Sequence, residues 1–249
     1  WEGEMVGVLS VATQSPSANE WFASRLGVIE ELGTFAGMLL GESAARMVVQ
    51  ERERGLLRRV IDESQFHPVF QPVLDLISGD VVGYEALTRF DDGVRPDLRF
   101  ATAFEVGLGS ELESVCAALA LGEAQALPPD AWLSVNFSPS TVIDGTAAAT
   151  IASTSRQIVI EITEHIEIES YSAVRRAIAA CAPARLAVDD AGAGFASLRH
   201  ILELEPDVVK LDIALVRGID RDPARQALVA GLCHFASRIG AMLIAEGVE

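Results

Sequence analysis

Polar side chains stand at the ends of successive predicted strands, and the first of them combine a carboxylate with a guanidinium. In the run VGYEALTR, Glu85 and Arg89 lie four residues apart, where a predicted strand gives way to a loop. Further carboxylate, amide and ammonium groups follow in order at Asn136, Glu161, Asp189, Asp190, Lys210, Asp212 and Glu246. Because the catalytic groups of α/β barrels lie at the carboxyl ends of strands, we expect this set to converge on one barrel mouth.

This acidic set predicts a centre for two divalent metal ions. Lys210 and Asp212 are two residues apart on a predicted strand and so share one face, which places a cation beside a carboxylate. So many like charges would repel one another without metal, and Mg²⁺ and Mn²⁺ prefer oxygen ligands. We therefore expect two Mg²⁺ or Mn²⁺ ions bridged by Asp189, as in a metal-dependent phosphodiesterase.

A helix cap, a loop charge or a surface ion pair would explain any single acidic residue of the set. These ordinary roles do not explain an ordered set beside an interior Lys210, because unpaired buried charges are costly. Zinc is disfavoured, since the histidines fall at strand starts, in loops or on helices. They are His67, His165, His200 and His234.

The elements that must position these groups are short strands that alternate with helices. The predicted strands cover residues 69–76, 81–88, 132–137, 157–163, 185–190, 207–212 and 241–246. Helical segments separate the last five, as βαβ units require. Only residues 77–80 join the first two, which is too short for a parallel crossover and predicts a hairpin. The fold class is therefore α/β, a TIM-type (β/α)8 barrel with an antiparallel first strand, whose eighth strand and last helix we expect beyond Glu249.

The first 63 residues predict a different unit. Residues 5–13 form a strand candidate, a helical pattern follows around residues 21–39, and residues 42–63 are charged and helical in pattern. The strand and helix resemble the end of a GAF sensor domain, although any strand plus helix would give the same pattern. We expect a GAF-like part over 1–45, a linker helix over 46–63 and the barrel over 64–249, within a longer protein because the chain opens on Trp1.

Composition limits the partners. The net charge of −17 opposes binding to a nucleic acid polymer or to anionic lipid, so a phosphate substrate would need local cations. Three isolated cysteines support neither a disulfide framework nor a zinc ribbon, which favours a reducing, cytoplasmic setting. Charged residues interrupt the most apolar helical segment, 26–49, so no membrane span is predicted.

Seven motifs resemble those of EAL-domain cyclic di-GMP phosphodiesterases, in order and with matching spacing over residues 57–249. They read FQPV at 70–73, EALTR at 85–89, LSVNFSP at 133–139, EITE at 161–164, DD at 189–190, KLD at 210–212 and AEGVE at 245–249. The resemblance implies hydrolysis of cyclic di-GMP to linear pGpG with two Mg²⁺ or Mn²⁺ ions, and a homodimer.

The resemblance also implies a role for each matching residue. Glu85, Asn136, Glu161 and Asp189 would hold one ion, and Asp189, Asp190 and Asp212 would hold or orient the second. Glu246 would act as the general base on a water molecule fixed by Lys210. Gln71, Leu87 and Arg89 would contact the substrate, Arg89 through a phosphate, while Glu164 and Glu249 would support the site.

One loop departs from the family pattern. Where the family reads DDFGTGYSSL, residues 189–198 read DDAGAGFASL, without the aromatic ring and two of the hydroxyls. In the family this loop couples dimerisation to the site and is held by the acid that matches Glu164. A cyclic di-GMP receptor that cleaves slowly or not at all, and a barrel hydrolase for another phosphodiester, therefore remain alternatives to an active enzyme.

Overall fold

A computed structural model describes residues 10–14, 16–162, 168, 170–191 and 195–248, with the backbone alone for 38–45 and 195–197. The chain divides into two units, residues 1–57 and 58–249. None of the helices in the described part of the chain is both long enough and apolar enough to span a bilayer.

The first unit contains α1 (Ala18–Ala23) and most of α2 (Leu26–Asp62). The predicted helical patterns at 21–39 and 42–63 lie mostly within these helices, and α2 runs continuously past residue 45. The predicted strand at 5–13 lies mostly outside the described residues, and residues 10–13 have no regular secondary structure. The GAF-like and linker assignments therefore stay predictions.

The second unit is built on one seven-stranded sheet whose strands follow chain order from β1 to β7. The strands are β1 (Phe66–Leu74), β2 (Val81–Phe90), β3 (Trp132–Asn136), β4 (Ile158–Ile162), β5 (Arg185–Ala191), β6 (Val208–Leu211) and β7 (Met242–Ala245). The predicted hairpin is confirmed, because β1 pairs antiparallel with β2 and every later pair is parallel. Within the described residues the sheet is curled into a half-barrel, so the closed eight-stranded barrel stays a prediction.

Helices connect the parallel strands and cover one face of the sheet. They are α3 (Pro96–Glu105), α4 (Gly109–Glu123), α5 (Pro139–Ile143), α6 (Thr146–Ile151), α7 (Tyr171–Ala180), α8 (Phe195–Leu204), α9 (Ile213–Val216) and α10 (Pro223–Ile239). The main core lies between these helices and strand residues such as Leu133, Ile160 and Val188. Burial of this apolar face is the main stabilising term of the unit.

The opposite face of the sheet carries a small apolar layer of Trp132, Val159, Ala187 and Val208. Gly83 on β2 is the register partner of Trp132, and a Cβ at position 83 would lie 2.2 Å from two ring carbons of that indole. A glycine at this position therefore lets the ring lie directly against the backbone of β2.

Candidate metal centre

Strand alternation places a polar layer directly beyond the apolar layer. Two residues further along each of four strands come Ser134, Glu161, Asp189 and Lys210, all of them buried. Because alternate residues on a strand point to the same face, the polar layer continues the face that begins with Trp132. Ser134 is not among the residues predicted for the site, although it lies two residues before Asn136 and so shares its strand face.

Lys210 is the centre of this layer. Its Nζ lies 2.9 Å from Glu161 Oε2, 3.0 Å from Glu85 Oε2, 3.2 Å from Asp189 Oδ2 and 2.8 Å from Glu246 Oε1. Only 3% of the Lys210 side chain is exposed. It is also the only lysine in the 249-residue sequence. The predicted convergence of strand-end residues is therefore found for these four acids, which come from four different strands or strand ends.

Burial and charge shift the pKa values of these groups in different directions. Burial raises the pKa of Glu161 to about 8; Lys210 opposes this rise, and Glu85 and Asp189 add to it. Burial also raises the pKa of Glu246, against the attraction of Lys210. For Lys210 burial alone would lower the pKa, but the carboxylates of Glu161, Asp189, Glu85 and Glu246 outweigh it and raise the pKa. The lysine therefore stays charged although it is buried.

A backbone irregularity brings a second aspartate to the site. Asp190 has a φ of 55°, and the register of β5 with β6 shifts between Val188 and Ala191. Val188 and Ala191 both pack in the main core, so the bulge places one extra residue between them. Asp189 and Asp190 consequently both direct a carboxylate toward Glu246.

Two groups of three carboxylates share Asp189. Glu85, Glu161 and Asp189 form one group, and Asp189, Asp190 and Glu246 form the other, with ligand atoms within 4.8 Å of one another in each. Four of these five carboxylates contact the ammonium of Lys210. Oxygen donors of this kind suit Mg²⁺, Mn²⁺ or Ca²⁺. The donor set fits two divalent ions, one in each group.

The structure places Asn136 beside the first group and Asp212 at the start of a helix. Asn136 Nδ2 lies 3.4 Å from Glu85 Oε1, so the amide oxygen is the group that could bind an ion. β6 ends at Leu211, one residue before Asp212, whose Oδ1 accepts the backbone N–H of Ala214 at the start of α9. The expectation that Asp212 lies on the same strand as Lys210 is therefore corrected, because Asp212 follows the strand as the N-cap of α9.

The placement of Glu85 and Arg89 is also corrected. β2 does not give way to a loop between them but continues to Phe90, because its second half pairs with β1 as far as Phe66. Only the parallel ladder to β3 ends at Glu85. One face of β2 therefore carries Glu85, Leu87 and Arg89 at every second position. Gln71 on β1 is the register partner of Glu85.

Several predicted residues lie outside the described part of the chain. These are Glu164, Glu249 and residues 192–194 of the DDAGAGFASL loop. His165 also lies there, whereas His67 contacts Asp91 and His200 contacts Tyr171, neither of which belongs to the acidic set.

Comparison with known proteins identifies relatives for most of the second unit. The model of the EAL domain family matches residues 54–249. The cyclic di-GMP phosphodiesterase PA2567 of Pseudomonas aeruginosa is 29% identical over 208 residues, which cover 75% of this chain and 35% of that protein. The chain thus spans about a third of the length of this curated relative.

Solved structures share the fold. BlrP1 of Klebsiella pneumoniae, in a complex with calcium and cyclic di-GMP, aligns with a TM-score of 0.66 and 28% identity over 74% of this chain and 50% of that one. The EAL domain of FimX from Xanthomonas citri, in complex with cyclic di-GMP, aligns with a TM-score of 0.68 and 23% identity over 82% of this chain and 86% of that one. With the family model matched along residues 54–249 and the acidic strand ends gathered on one face of the sheet, this chain belongs to the EAL domain family.

Proposed function

We propose that the protein hydrolyses one phosphodiester bond of cyclic di-GMP and releases linear pGpG. The observation that carries this proposal is that two groups of three carboxylates share Asp189 around the buried Lys210. A relative named as a cyclic di-GMP phosphodiesterase and a related structure in complex with calcium and cyclic di-GMP support the choice of substrate.

Two Mg²⁺ or Mn²⁺ ions fit the two groups of oxygen donors. Glu85, Asn136, Glu161 and Asp189 would hold one ion, and Asp189, Asp190 and Asp212 would hold or orient the other. The carboxylate of Asp212 is fixed by the N–H that it accepts from Ala214. Bound ions of this kind lower the pKa of a water molecule and stabilise the charge on both the attacking and the leaving oxygen of an in-line displacement.

The protein side chains supply the proton transfer. Glu246 accepts a proton from the attacking water, whose oxygen forms a new bond to phosphorus while the bond from phosphorus to the ribose O3′ breaks. The O3′ leaving group takes up a proton, so the products are a terminal 5′-phosphate and a free 3′-hydroxyl. Lys210 holds Glu246 at 2.8 Å, and burial favours a base that binds a proton more readily than an exposed glutamate.

The face of β2 provides a route for the substrate away from the acids. Leu87 and Arg89 follow Glu85 at two-residue intervals, which puts Arg89 about 13 Å along the strand from Glu85. Arg89 is exposed, and its planar guanidinium suits a phosphate oxygen pair. We propose that Gln71, Leu87 and Arg89 line the groove for the dinucleotide.

The test is product formation by the intact chain and by a Glu246→Gln variant. With Mg²⁺ or Mn²⁺ the wild-type protein should convert cyclic di-GMP to pGpG, and Glu246→Gln should reduce the turnover by about 10²- to 10⁴-fold with unchanged binding. Glu123→Gln, an exposed substitution at the end of α4, is the matched control and should leave turnover unchanged. Loss of binding by Glu246→Gln would contradict its assignment as the base.

The departures in the DDAGAGFASL loop favour a second candidate, a receptor that binds cyclic di-GMP without cleaving it. Ala191 is buried in the core at the end of β5 and has no aromatic ring, whereas the family pattern carries one at this position. The same assay separates the candidates, because a receptor would bind the dinucleotide and release no pGpG.

A further inference from the structure

The segment that follows β3 is held by hydrogen bonds to two other elements, β4 and α4. The backbone N–H of Phe137 donates to the carbonyl oxygen of Glu161 at 3.1 Å. The next N–H, that of Ser138, donates to both carboxylate oxygens of Glu113 at 3.1 Å each, and the Ser138 hydroxyl donates to Glu113 Oε2 at 3.0 Å. Asn136 directly precedes this pair, so its backbone is fixed by one proposed metal ligand, Glu161, and by Glu113 on α4.

Glu113 is a costly residue at this position. It is only 9% exposed, and its described contacts are all to neutral donors. Hydroxyl groups extend the network, since Ser138 Oγ lies 2.9 Å from Thr141 Oγ1, which donates to Ser110 Oγ at 2.9 Å. A buried carboxylate without a cation is expensive even when it is hydrogen-bonded, so packing alone does not account for a glutamate here.

We infer that Glu113 is a positioning residue that holds the turn after β3 so that Asn136 can bind the metal ion of the first group. Among the described residues, the Asn136 side chain makes one weak hydrogen bond, the 3.4 Å approach to Glu85. Its orientation therefore depends on its backbone, and the backbone depends on the Ser138–Glu113 contact. Outer partners of this kind typically change metal affinity by about 10- to 100-fold when they are removed.

This inference rests on the proposed metal centre, and metal affinity measures it without any need for turnover. Free Mn²⁺ measured by electron paramagnetic resonance gives the affinity of the intact chain and of three variants, Glu113→Leu, Asn136→Ala and the double variant. Leucine keeps most of the side-chain volume and removes the acceptor. We expect about 10-fold weaker Mn²⁺ binding for each single variant and no further loss in the double variant.

Two further variants separate positioning from general stability. Glu113→Gln keeps an acceptor for the Ser138 N–H and should restore the affinity to within about 3-fold of wild type. Ser114→Ala, on the same helix, removes the 2.8 Å contact between the Ser114 and Thr150 hydroxyls and should leave the affinity unchanged. If Glu113→Leu does not fold, Ser138→Ala removes the hydroxyl half of the contact and should weaken binding only when Asn136 is present.

The outcomes distinguish the two levels of the proposal. Unchanged Mn²⁺ affinity for Asn136→Ala would contradict the ligand assignment itself. Two results would overturn the positioning role of Glu113. One is weaker binding by Asn136→Ala with unchanged binding by Glu113→Leu. The other is that Glu113→Leu weakens Mn²⁺ binding equally in the wild-type protein and in Asn136→Ala. If Ser114→Ala weakened Mn²⁺ binding as much as Glu113→Leu does, the loss would reflect lower fold stability and would contradict the positioning role of Glu113.

Discussion

At the scale of single residues, Lys210 makes the carboxylate groups compatible with burial. It balances part of the charge of four acids in a layer that water barely reaches. Its compact ammonium contacts four separate oxygens. The broad, planar guanidinium of arginine would not fit into the same space. The use of lysine here and arginine at all 18 other basic positions is consistent with that requirement.

The single lysine gives a direct spectroscopic test. Because its pKa is raised by the surrounding carboxylates, Lys210 should remain an ammonium through its ordinary pKa of 10.5 in the folded, metal-free protein. The stability that it contributes is then complete below pH 10.5 and is lost only as pH rises through the higher folded value. Protein labelled with ¹⁵N-lysine should show one Nζ resonance that does not titrate below this pH, and titration at or below 10.5 would contradict the assignment.

At the scale of elements, the sequence predicted all seven strands, because short β-rich runs alternate with helical segments and the connection between the first two strands is too short for a parallel crossover. It did not predict two features that depend on pairing. The extension of β2 to Phe90 comes from β1, and the bulge at Asp190 comes from packing that buries both Val188 and Ala191. Regular alternation would have put Asp189 and Asp190 on opposite faces of the sheet. The sequence pattern alone therefore could not predict that both carboxylates reach the site.

The close contact between β2 and β3 predicts opposite effects for two glycine substitutions. Gly83→Ala should lower the free energy of unfolding by about 1–3 kcal/mol, because the new Cβ overlaps the buried Trp132 ring. Gly122→Ala on α4 is the control, since nothing lies within 4 Å of its Cβ, and it should raise that free energy by about 0.5–1 kcal/mol. Urea unfolding measures both, and equal effects would contradict the described packing of Trp132.

At the scale of the whole molecule, the acidic character of the chain and its acidic site act together. The net charge of −17 disfavours anionic partners in general, so Arg89 and the metal ions would have to supply the local attraction for a dinucleotide phosphate. The GAF-like start and the homodimer remain predictions. We expect sedimentation of the intact chain to show a dimer, and a monomer under conditions of full activity would contradict that expectation.

The raised pKa of Glu161 predicts how stability depends on pH. A carboxyl group whose pKa rises on folding from 4.5 to about 8 takes up a proton on folding within that window. The free energy of unfolding of the metal-free protein should therefore fall as pH rises from about 5 to about 8, by on the order of 1 kcal/mol per unit at most. Saturating Mg²⁺ should flatten this slope, and Glu161→Gln should remove its largest part. A slope that is unchanged in Glu161→Gln would locate the proton uptake elsewhere.

The central claim is that water attacks a phosphodiester of cyclic di-GMP at the candidate metal centre, the two groups of three carboxylates around Lys210. Reaction of the intact chain with cyclic di-GMP and Mn²⁺ in H₂¹⁸O, followed by mass spectrometry, tests this claim most directly. We predict pGpG that carries a single ¹⁸O atom in its terminal phosphate, and no product when a chelator removes the metal. Retained binding of cyclic di-GMP without any labelled pGpG would contradict the claim and identify a receptor.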